Sequence, residues 1–257
     1  MTPSLPGRVL TAAVVTASLM IFATAAAHPA MAEPMPADSA GLDAYIQDYL
    51  IRNPEVIRDA LLKLEQDEQT ANTKRVLREV KDDLYGAGSP ELGNPDAAVT
   101  IVEFFDYNCP YCRATYAKMK EFLKENPDTK VVLKDVASLG EHSEDVARLM
   151  IAAAKQDEDF PALHDTLMTA KGQMTEPRAL SFAKKHGFDV EKIKADAASN
   201  ETTDTLARTQ SLANALNVNV TPLYIVGHNG IAGSPEDLIP QISEHVEAIR
   251  KSGCDVC

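Results

Sequence analysis

The feature that most constrains the fold is a pair of cysteines placed just after an apolar run of strand length. Residues 99–105 (VTIVEFF) are rich in β-branched and aromatic side chains, which predicts a buried β-strand. Four residues later, Cys109 and Cys112 form a Cys-x-x-Cys motif, and the intervening Pro110 suits the first turn of a helix. The sequence therefore predicts a strand followed by a helix with a cysteine at its start.

A cysteine at a helix start meets unpaired backbone N–H groups and the positive end of the helix dipole. We therefore expect the pKa of the Cys109 thiol to lie below its usual value. Cys112 follows nearly one turn later, within disulfide reach, so the pair can alternate between dithiol and disulfide, with Cys109 attacking and Cys112 resolving. A structural crosslink is the alternative, but a disulfide closing so short a loop adds little folding entropy.

Cys254 and Cys257 form a second Cys-x-x-Cys motif. Two such pairs can build a four-thiolate zinc site, but these lie more than 140 residues apart, far beyond the usual ligand spacing. Two interpretations of this pair stay open: a tail disulfide, or a soft dithiolate site for Cu(I). We predict no other cofactor besides the redox-active Cys109–Cys112 disulfide. Five histidines lack ligand spacing and are expected at the surface: His142, His164, His186, His228 and His245.

Residues 1–32 have the order of a secretory signal peptide. Arg8 precedes an apolar run, Val9 to Ala27, and small residues close the segment at Ala32, where we expect cleavage. An uncleaved membrane anchor is the alternative, because the apolar run is just long enough to span a bilayer. An exported chain without a eukaryotic retention signal suggests a bacterial periplasm, where disulfides persist.

The charge of the remaining chain argues against one class of partner. Without residues 1–32 there are 24 Lys and Arg against 38 Asp and Glu, a net charge of −14. Such a surface repels nucleic acid, and no basic cluster with interleaved aromatic residues offsets it. We therefore predict no nucleic-acid partner.

Residues 33–85 are predicted to form a helical oligomerisation arm and a linker. Apolar residues recur at helical spacing over Leu42–Leu64, with a break at Asn53-Pro54, where Asn suits an N-cap and Pro the first helical position. The apolar stripe disappears over Glu65–Arg75, which is typical of a solvated or marginal helix. The stripe is too short to bury itself, so it either folds back onto the main domain or packs against copies of itself in other chains.

Residues 86–257 predict a β-α-β unit, a helical block and a closing β-β-α unit. KVVLKDV (130–136) is the second strand, and helical spacing extends from His142 to Asn217. VTPLYIVG and a turn at 228–230 then give two strands before a helix opening at Ser234-Pro235. This alternation predicts an α/β fold, a sheet covered by helices.

The segment VEFFDYNCPYC, the helix after it, a helical insertion and VTPLYIVG resemble the DsbA-like branch of the thioredoxin superfamily. Within that branch they are most similar to the suppressor-of-copper-sensitivity protein C (ScsC) proteins. The resemblance covers residues 88 to about 251 and implies a thioredoxin fold with a helical insertion at about 141–217. LIRNPEVIRDALLKLE resembles the N-terminal segment of members that trimerise.

The resemblance implies roles for the cysteines and for one acid. Cys109 is the surface nucleophile and Cys112 its buried partner. Glu103 matches an acidic residue buried beneath the disulfide that assists proton exchange, with a solvated strand-end carboxylate as the alternative. Cys254 and Cys257 depart from the family pattern, so the resemblance assigns them no role.

It also implies roles for two dipeptides. Pro222 matches a cis-proline that faces the active site and exposes the Thr221 backbone for strand-like pairing with a substrate. Thr at this position resembles the isomerases more than the strong oxidase. Pro110 and Tyr111 are the inter-cysteine dipeptide that tunes the redox balance.

Together these features predict periplasmic thiol–disulfide exchange: a disulfide isomerase or reductase that acts on misoxidised client proteins and is linked to copper tolerance. The protein is expected to be a homotrimer that a membrane partner of ScsB type keeps reduced. A monomeric dithiol oxidase and a copper-binding protein are the alternatives.

Overall fold

The computed structural model describes residues 39–86 and 88–257, so the predicted signal peptide and its cleavage site lie outside the described residues. The chain divides into two units, one ending at Arg58 and one spanning Asp59–Cys257. Within the described ranges, no helix combines the length and apolar character that crossing a bilayer requires.

Two helices begin the described chain, α1 (Ser39–Arg52) and α2 (Pro54–Glu79). Asn53 stands directly before α2, and Pro54 is the first helical residue, as predicted; the Asn53 side-chain amide donates to the Tyr49 carbonyl in the last turn of α1, at 2.8 Å. The apolar stripe of this segment is exposed at eight positions: Ile46, Tyr49, Ile51, Val56, Ile57, Leu61, Leu62 and Leu64.

Helix α2 continues through the polar stretch that the sequence marks as marginal. Ion pairs spaced four residues apart support it there, between Lys63 and Asp67 and between Arg75 and Glu79, the second at 2.7 Å. Such exposed pairs each add a few tenths of a kcal/mol to a helix, about 0.2–0.5. In this stretch of α2, where no apolar stripe is present, side-chain pairs along the helix contribute to its stability.

The second unit is built on a five-stranded mixed sheet. Its strands are β1 (Glu91–Gly93), β2 (Val99–Phe105), β3 (Thr129–Asp135), β4 (Leu223–Val226) and β5 (Asn229–Ala232). The spatial order is β1-β3-β2-β4-β5; β2 and β3 are parallel, and the other neighbours are antiparallel. The helices of this unit, after α2, are α3 (Lys81–Tyr85), α4 (Pro110–Glu125), α5 (Glu141–Ala153), α6 (Phe160–Thr169), α7 (Glu176–Lys185), α8 (Val190–Ala197), α9 (Asn200–Ala215) and α10 (Leu238–Ser252).

The α/β prediction is confirmed, with two local corrections. Strand β1 is not predicted from the sequence, because three residues ending in glycine give no period-2 pattern to detect. Helix α10 begins later than the predicted Ser234-Pro235, because Pro235 opens a turn in which its carbonyl accepts the Leu238 N–H at 3.2 Å. Helices α5 to α9 occupy the range expected for the helical insertion.

Strand β2 is buried on both faces, which explains its continuous apolar sequence. Ile101 and Phe105 pack with α4 and the insertion helices, whereas Val102 and Phe104 pack with α9, Leu77 of α2 and Leu84 of α3. Leu77 and Leu84 are therefore core residues of the second unit. The predicted boundary between arm and domain at 85/86 stays a prediction.

Candidate functional site

Cys109 is the N-cap residue of α4, at the point where β2 has ended and the chain turns into the helix. Its Sγ accepts the Cys112 N–H at 3.5 Å, and its thiol donates to the Thr221 carbonyl at 3.4 Å. Both Cys109 and Cys112 are free thiols, with 4% and 0% of their surface exposed. Contrary to the predicted surface position, Cys109 is covered, because the loop carrying Thr221 lies against it.

The Thr221–Pro222 peptide bond is cis, as the resemblance implied. Pro222 is buried, and its carbonyl accepts the Gly233 N–H at 2.7 Å, which fixes the loop before β4 to the far end of β5. The Thr221 carbonyl points at the Cys109 sulfur. Two segments separated by more than 100 residues thus meet at one sulfur atom.

Glu103 is buried on the face of β2 that carries the cysteines, with 4% of its surface exposed, so the solvated alternative is wrong. Burial raises the pKa of Glu103 to about 7, and a hydrogen bond from Tyr224 acts in the opposite direction. Glu103 and Tyr224 are directly paired positions of β2 and β4, which is why their side chains meet. The Tyr224 hydroxyl donates to Glu103 Oε1 at 3.1 Å.

The hydrogen bonds continue from Tyr224 to the redox helix. The Thr115 hydroxyl lies 3.0 Å from the Tyr224 hydroxyl and 3.1 Å from each of the carbonyl oxygens of Tyr111 and Cys112, and these three acceptors share its single proton. Burial, together with the negative charge of Glu103, raises the pKa of the Cys112 thiol. The ionisation of Cys112 is therefore coupled to the protonation of Glu103.

A cavity of about 370 Å³ gives Glu103 a route to solvent. Apolar side chains form most of its wall, including Tyr116 and Met119 of α4, and Asp159 and Asp165 lie at its edge. A buried acid needs such an opening if it is to exchange protons with bulk water. The sequence contains no signal for this cavity, which depends on how α6 packs beside α4.

The inter-cysteine dipeptide lies at the surface, where a client protein can reach it. Pro110 and Tyr111 are both exposed. Leu139 and Val220 are also exposed, and each is tied to the site: the Leu139 N–H bonds Asp106 Oδ2 at 3.1 Å, and Val220 precedes Thr221. Tyr111, Leu139 and Val220 are thus exposed apolar side chains that lie next to residues of the site in the chain or through a backbone hydrogen bond.

Two residues beside the motif, missed from the sequence, fix the helical insertion to it. Asn108 accepts the Met174 N–H at 2.7 Å and donates to the Met174 carbonyl at 3.0 Å. Arg113 donates to the Tyr107 carbonyl at 2.7 Å and to the carbonyls of Ala170 and Gly172 at 2.8 Å. The only signal in the sequence is that Asn108 is a polar residue between a buried strand and the motif.

The expectation that all five histidines lie at the surface is wrong for His164. Its ring is 1% exposed, accepts or donates a 2.8 Å hydrogen bond with the Tyr107 hydroxyl, and lies among Phe105, Tyr116 and Phe160. Burial lowers the pKa of His164 to about 3, so the ring is neutral at physiological pH. His164 is a core residue.

Cys254 and Cys257 form a disulfide, and Cys254 packs on the face of the sheet opposite the one that carries Cys109 and Cys112. The two pairs therefore do not converge on one four-thiolate site. Of the two interpretations left open, the structure contains the tail disulfide. In the described ranges, His, Cys, Asp and Glu side chains form no group of three that could hold a metal ion.

Comparison with known proteins supports this arrangement. Residues 87–244 match the family model described as thioredoxin, and residues 40–71 match the copper resistance protein ScsC N-terminal domain. A thioredoxin-like oxidoreductase from Silicibacter pomeroyi is 35% identical, with a TM-score of 0.62, and the match covers 66% of this chain and 98% of that one. The catalytic domain of Proteus mirabilis ScsC is 26% identical, with a TM-score of 0.61, covering 68% and 98%.

Curated relatives match over shorter stretches. The chain is 25% identical to the Na⁺/H⁺ antiporter NhaA 3 of Salinispora tropica, over 54% of this chain and only 22% of that protein. It is 28% identical to a probable disulfide bond formation protein D of Bacillus anthracis, over 56% of this chain and 71% of that protein. The chain thus spans about a fifth of the length of the antiporter, whereas it spans most of the length of the disulfide bond formation protein.

Proposed function

The chain belongs to the thioredoxin family, in its DsbA- and ScsC-like branch, and we propose that it is a periplasmic disulfide isomerase and reductase acting on misoxidised client proteins. One observation carries the proposal. Cys109 Sγ lies at a helix start between the Cys112 N–H and the Thr221 carbonyl, with the buried Glu103 on the same side of the sheet. This arrangement supports attack by Cys109, resolution by Cys112 and proton acceptance by Glu103.

The exchange begins when the Cys109 thiolate attacks one sulfur of a client disulfide. A mixed disulfide forms and the second client sulfur leaves as a thiolate. In isomerisation, another client thiolate attacks the mixed disulfide, forms the correct client pair and regenerates the Cys109 thiolate. In reduction, the Cys112 thiolate attacks Cys109 Sγ, releases the client as a thiolate and leaves the Cys109–Cys112 disulfide.

The reductive branch needs Cys112 to lose a proton inside the protein. Its burial and the nearby Glu103 charge both oppose thiolate formation. Transfer of the Cys112 proton to Glu103 removes the charge repulsion in the same step, and a carboxyl with a pKa of about 7 suits both acceptance and return of a proton at neutral pH. Glu103 is the proposed proton acceptor.

We further propose that the protein is a homotrimer. The exposed apolar stripe of α1 and α2 is larger than scattered surface residues explain, and it falls in the stretch that matches the ScsC N-terminal domain. Several catalytic domains joined in this way form a cleft that holds an unfolded client. A membrane reductant of ScsB type would return the Cys109–Cys112 disulfide to the dithiol, and the link to copper tolerance follows from the same ScsC relationship.

The test compares the wild-type chain with a double variant, Ile57→Lys/Leu61→Lys, which places charges in the stripe. Gln66→Lys/Gln69→Lys adds the same charges at exposed polar positions of the same helix and serves as the matched control. We expect the stripe variant to become monomeric by light scattering and to lose refolding of scrambled ribonuclease while keeping dithiol reductase activity. The control should remain oligomeric and active.

Three results would contradict the proposal. A wild-type monomer with strong oxidase activity and no activity on scrambled ribonuclease indicates the monomeric oxidase instead. Isomerase activity that survives in a monomeric stripe variant removes the role of the oligomer. Copper tolerance that depends on Cys254 and Cys257 but not on Cys109 indicates a copper-binding protein.

A further inference from the structure

The disulfide at the end of the chain closes a four-residue loop, Cys254-Asp255-Val256-Cys257, here called the tail loop. Gly253 ends α10 with a positive φ of 77°, which turns the chain away from the helix axis. The loop then crosses to the face of the sheet opposite Cys109. The proposed exchange reaction uses none of these residues.

The tail loop contacts residues 74–85, which hold the end of α2 and all of α3. Val256 is 2% exposed and shares a cluster with Leu77 and Leu84. Asp255 forms an ion pair with Lys74 at 2.7 Å, and its carbonyl accepts the Arg78 Nε–H at 3.3 Å.

Cys257 extends the same contact at the other end of the loop. Lys81 Nζ donates to the Cys257 carbonyl, and the Tyr85 hydroxyl lies 3.5 Å from Cys257 Sγ. The last three residues of the chain thus all contact the segment that leads into the catalytic domain. The loop acts as a clasp on that segment.

The Cys254–Cys257 disulfide fixes the conformation of the tail loop. Inside the ring the Cys257 N–H donates to Cys254 Sγ at 3.1 Å, the same spacing relationship as between Cys112 and Cys109. The closed ring turns Val256 into the core while Asp255 reaches Lys74 and, at 3.4 Å, His228. Four open-chain residues would have to lose conformational freedom to make these contacts, whereas the ring has already lost it.

The disulfide is also accessible to a reagent. A groove of about 300 Å³ reaches Cys254, and its lining includes Lys74, His228, His245 and Asp255. Attack at Cys254 makes Cys257 the leaving sulfur, beside the Tyr85 hydroxyl. Burial raises the pKa of Tyr85 to about 12, so this hydroxyl keeps its proton and can donate to the departing thiolate.

We propose that Cys254–Cys257 is a second redox site, whose substrate is a dithiol and whose reduction opens the clasp on residues 74–85. One thiolate of the dithiol attacks Cys254 Sγ, forming a mixed disulfide and releasing the Cys257 thiolate, which takes up a proton. The second thiolate of the reagent attacks its own mixed sulfur, releases Cys254 and leaves as a disulfide. Two electrons and two protons pass to the tail, and the loop becomes an open chain.

The test uses the full chain carrying Cys109→Ser/Cys112→Ser, so that only the tail pair can titrate, with dithiothreitol as the dithiol. We expect two thiols per chain to appear without unfolding. Amide hydrogen exchange in residues 74–85 should then accelerate by about tenfold or more, while β2 and β3 keep their protection. Further replacement by Cys254→Ser/Cys257→Ser should reproduce the fast exchange without reductant.

Lys74→Gln tests the contacts of the clasp independently of the disulfide. It removes the ion pair with Asp255 and keeps the ring closed. We expect faster exchange confined to residues 74–85, smaller than that caused by reduction. The proposal is overturned if the native tail yields no thiols, or if reduced and oxidised chains exchange residues 74–85 equally. If the serine variant does not fold, the reduction experiment decides alone. Neither outcome depends on exchange activity at Cys109.

Discussion

The Tyr224 hydroxyl donates a 3.1 Å hydrogen bond to Glu103 Oε1, across directly paired positions of β4 and β2. Among the described residues it is the one hydrogen bond that the Glu103 side chain makes, and it stabilises the charged form of the carboxyl, which burial disfavours. The balance between these two effects sets the pH at which Glu103 can take a proton from Cys112.

Tyr224→Phe should shift the proton-transfer step to higher pH. The variant removes the donor and leaves the burial, so the pKa of Glu103 should rise above about 7. The step can be followed by forming a mixed disulfide between Cys109 and thionitrobenzoate and recording its release by Cys112 across a pH series. We expect the inflection of the release rate to move upward.

Tyr116→Phe is the matched control for that measurement. Tyr116 lines the same cavity, but its hydroxyl interacts with Asp165 rather than with Glu103 through a hydrogen bond. The pH profile of the release rate in Tyr116→Phe should keep the wild-type inflection. An unchanged profile for Tyr224→Phe would mean that Glu103 does not control the release step.

Glu103→Gln should make the protein more stable at neutral pH. The folded-state pKa of about 7 lies above the ordinary value of 4.5, so the native state holds its proton more tightly than the unfolded state does. Stability from this group is fully present below pH 4.5, falls as the pH rises to about 7, and is constant above that. A shift of this size corresponds to roughly 3 kcal/mol, which Gln should recover at pH 8.

Denaturant unfolding at pH 4.5 and pH 8 measures this effect. The wild-type free energy of unfolding should carry the extra decline with pH that Glu103→Gln lacks. Glu125→Gln, at an exposed position of α4, should show the wild-type dependence. If the free energy of unfolding has the same pH dependence in wild type and Glu103→Gln, burial does not raise the pKa of Glu103.

The sequence predicts the parts of this site that are local. The apolar run ending at Phe105 and the motif starting at Cys109 are each explained by neighbouring residues, and the strand and helix lie within a residue or two of the predicted bounds. The cis geometry at Pro222 came from family resemblance, because few X–Pro bonds are cis and nothing nearby in the sequence requires it.

Other features were present in the sequence but were overlooked. His164 shares helical spacing with Phe160, Leu163 and Leu167, a pattern that already predicts a buried face. By contrast, the pairing of Asn108 with Met174 joins residues 66 positions apart, and no local pattern encodes it. The burial of Val256 against Leu77 likewise depends on tertiary packing.

Asn108→Ala should destabilise the second unit by about 2–3 kcal/mol, because it leaves the buried N–H and carbonyl of Met174 without a partner. Asn108→Asp keeps the acceptor and loses the donor, so its loss should be smaller. Asn214→Ala, at an exposed position of α9, should change the free energy of unfolding by less than about 0.5 kcal/mol. Urea unfolding of the three variants checks the order, and a loss in Asn108→Ala no larger than that in Asn214→Ala would contradict it.

Replacing each cysteine of the first pair should give two different defects. Cys109→Ala removes the attacking sulfur, so exchange should fall to the uncatalysed background and no mixed disulfide should form. Cys112→Ala keeps the attack and removes the resolving thiol, which no other free cysteine of the chain replaces, since Cys254 and Cys257 are bonded to each other on the opposite face. The variant should therefore accumulate mixed disulfides with clients, visible by non-reducing electrophoresis and mass spectrometry.

Cys254→Ser/Cys257→Ser provides the control, because it removes sulfurs from a site that the exchange reaction does not use. Its mixed disulfides should resolve at the wild-type rate. Trapping by Cys109→Ala in place of Cys112→Ala would reverse the two roles. Equal losses without trapping in both variants would show that the pair does not act by attack and resolution, and that the contact of Cys109 Sγ with the Thr221 carbonyl serves packing alone.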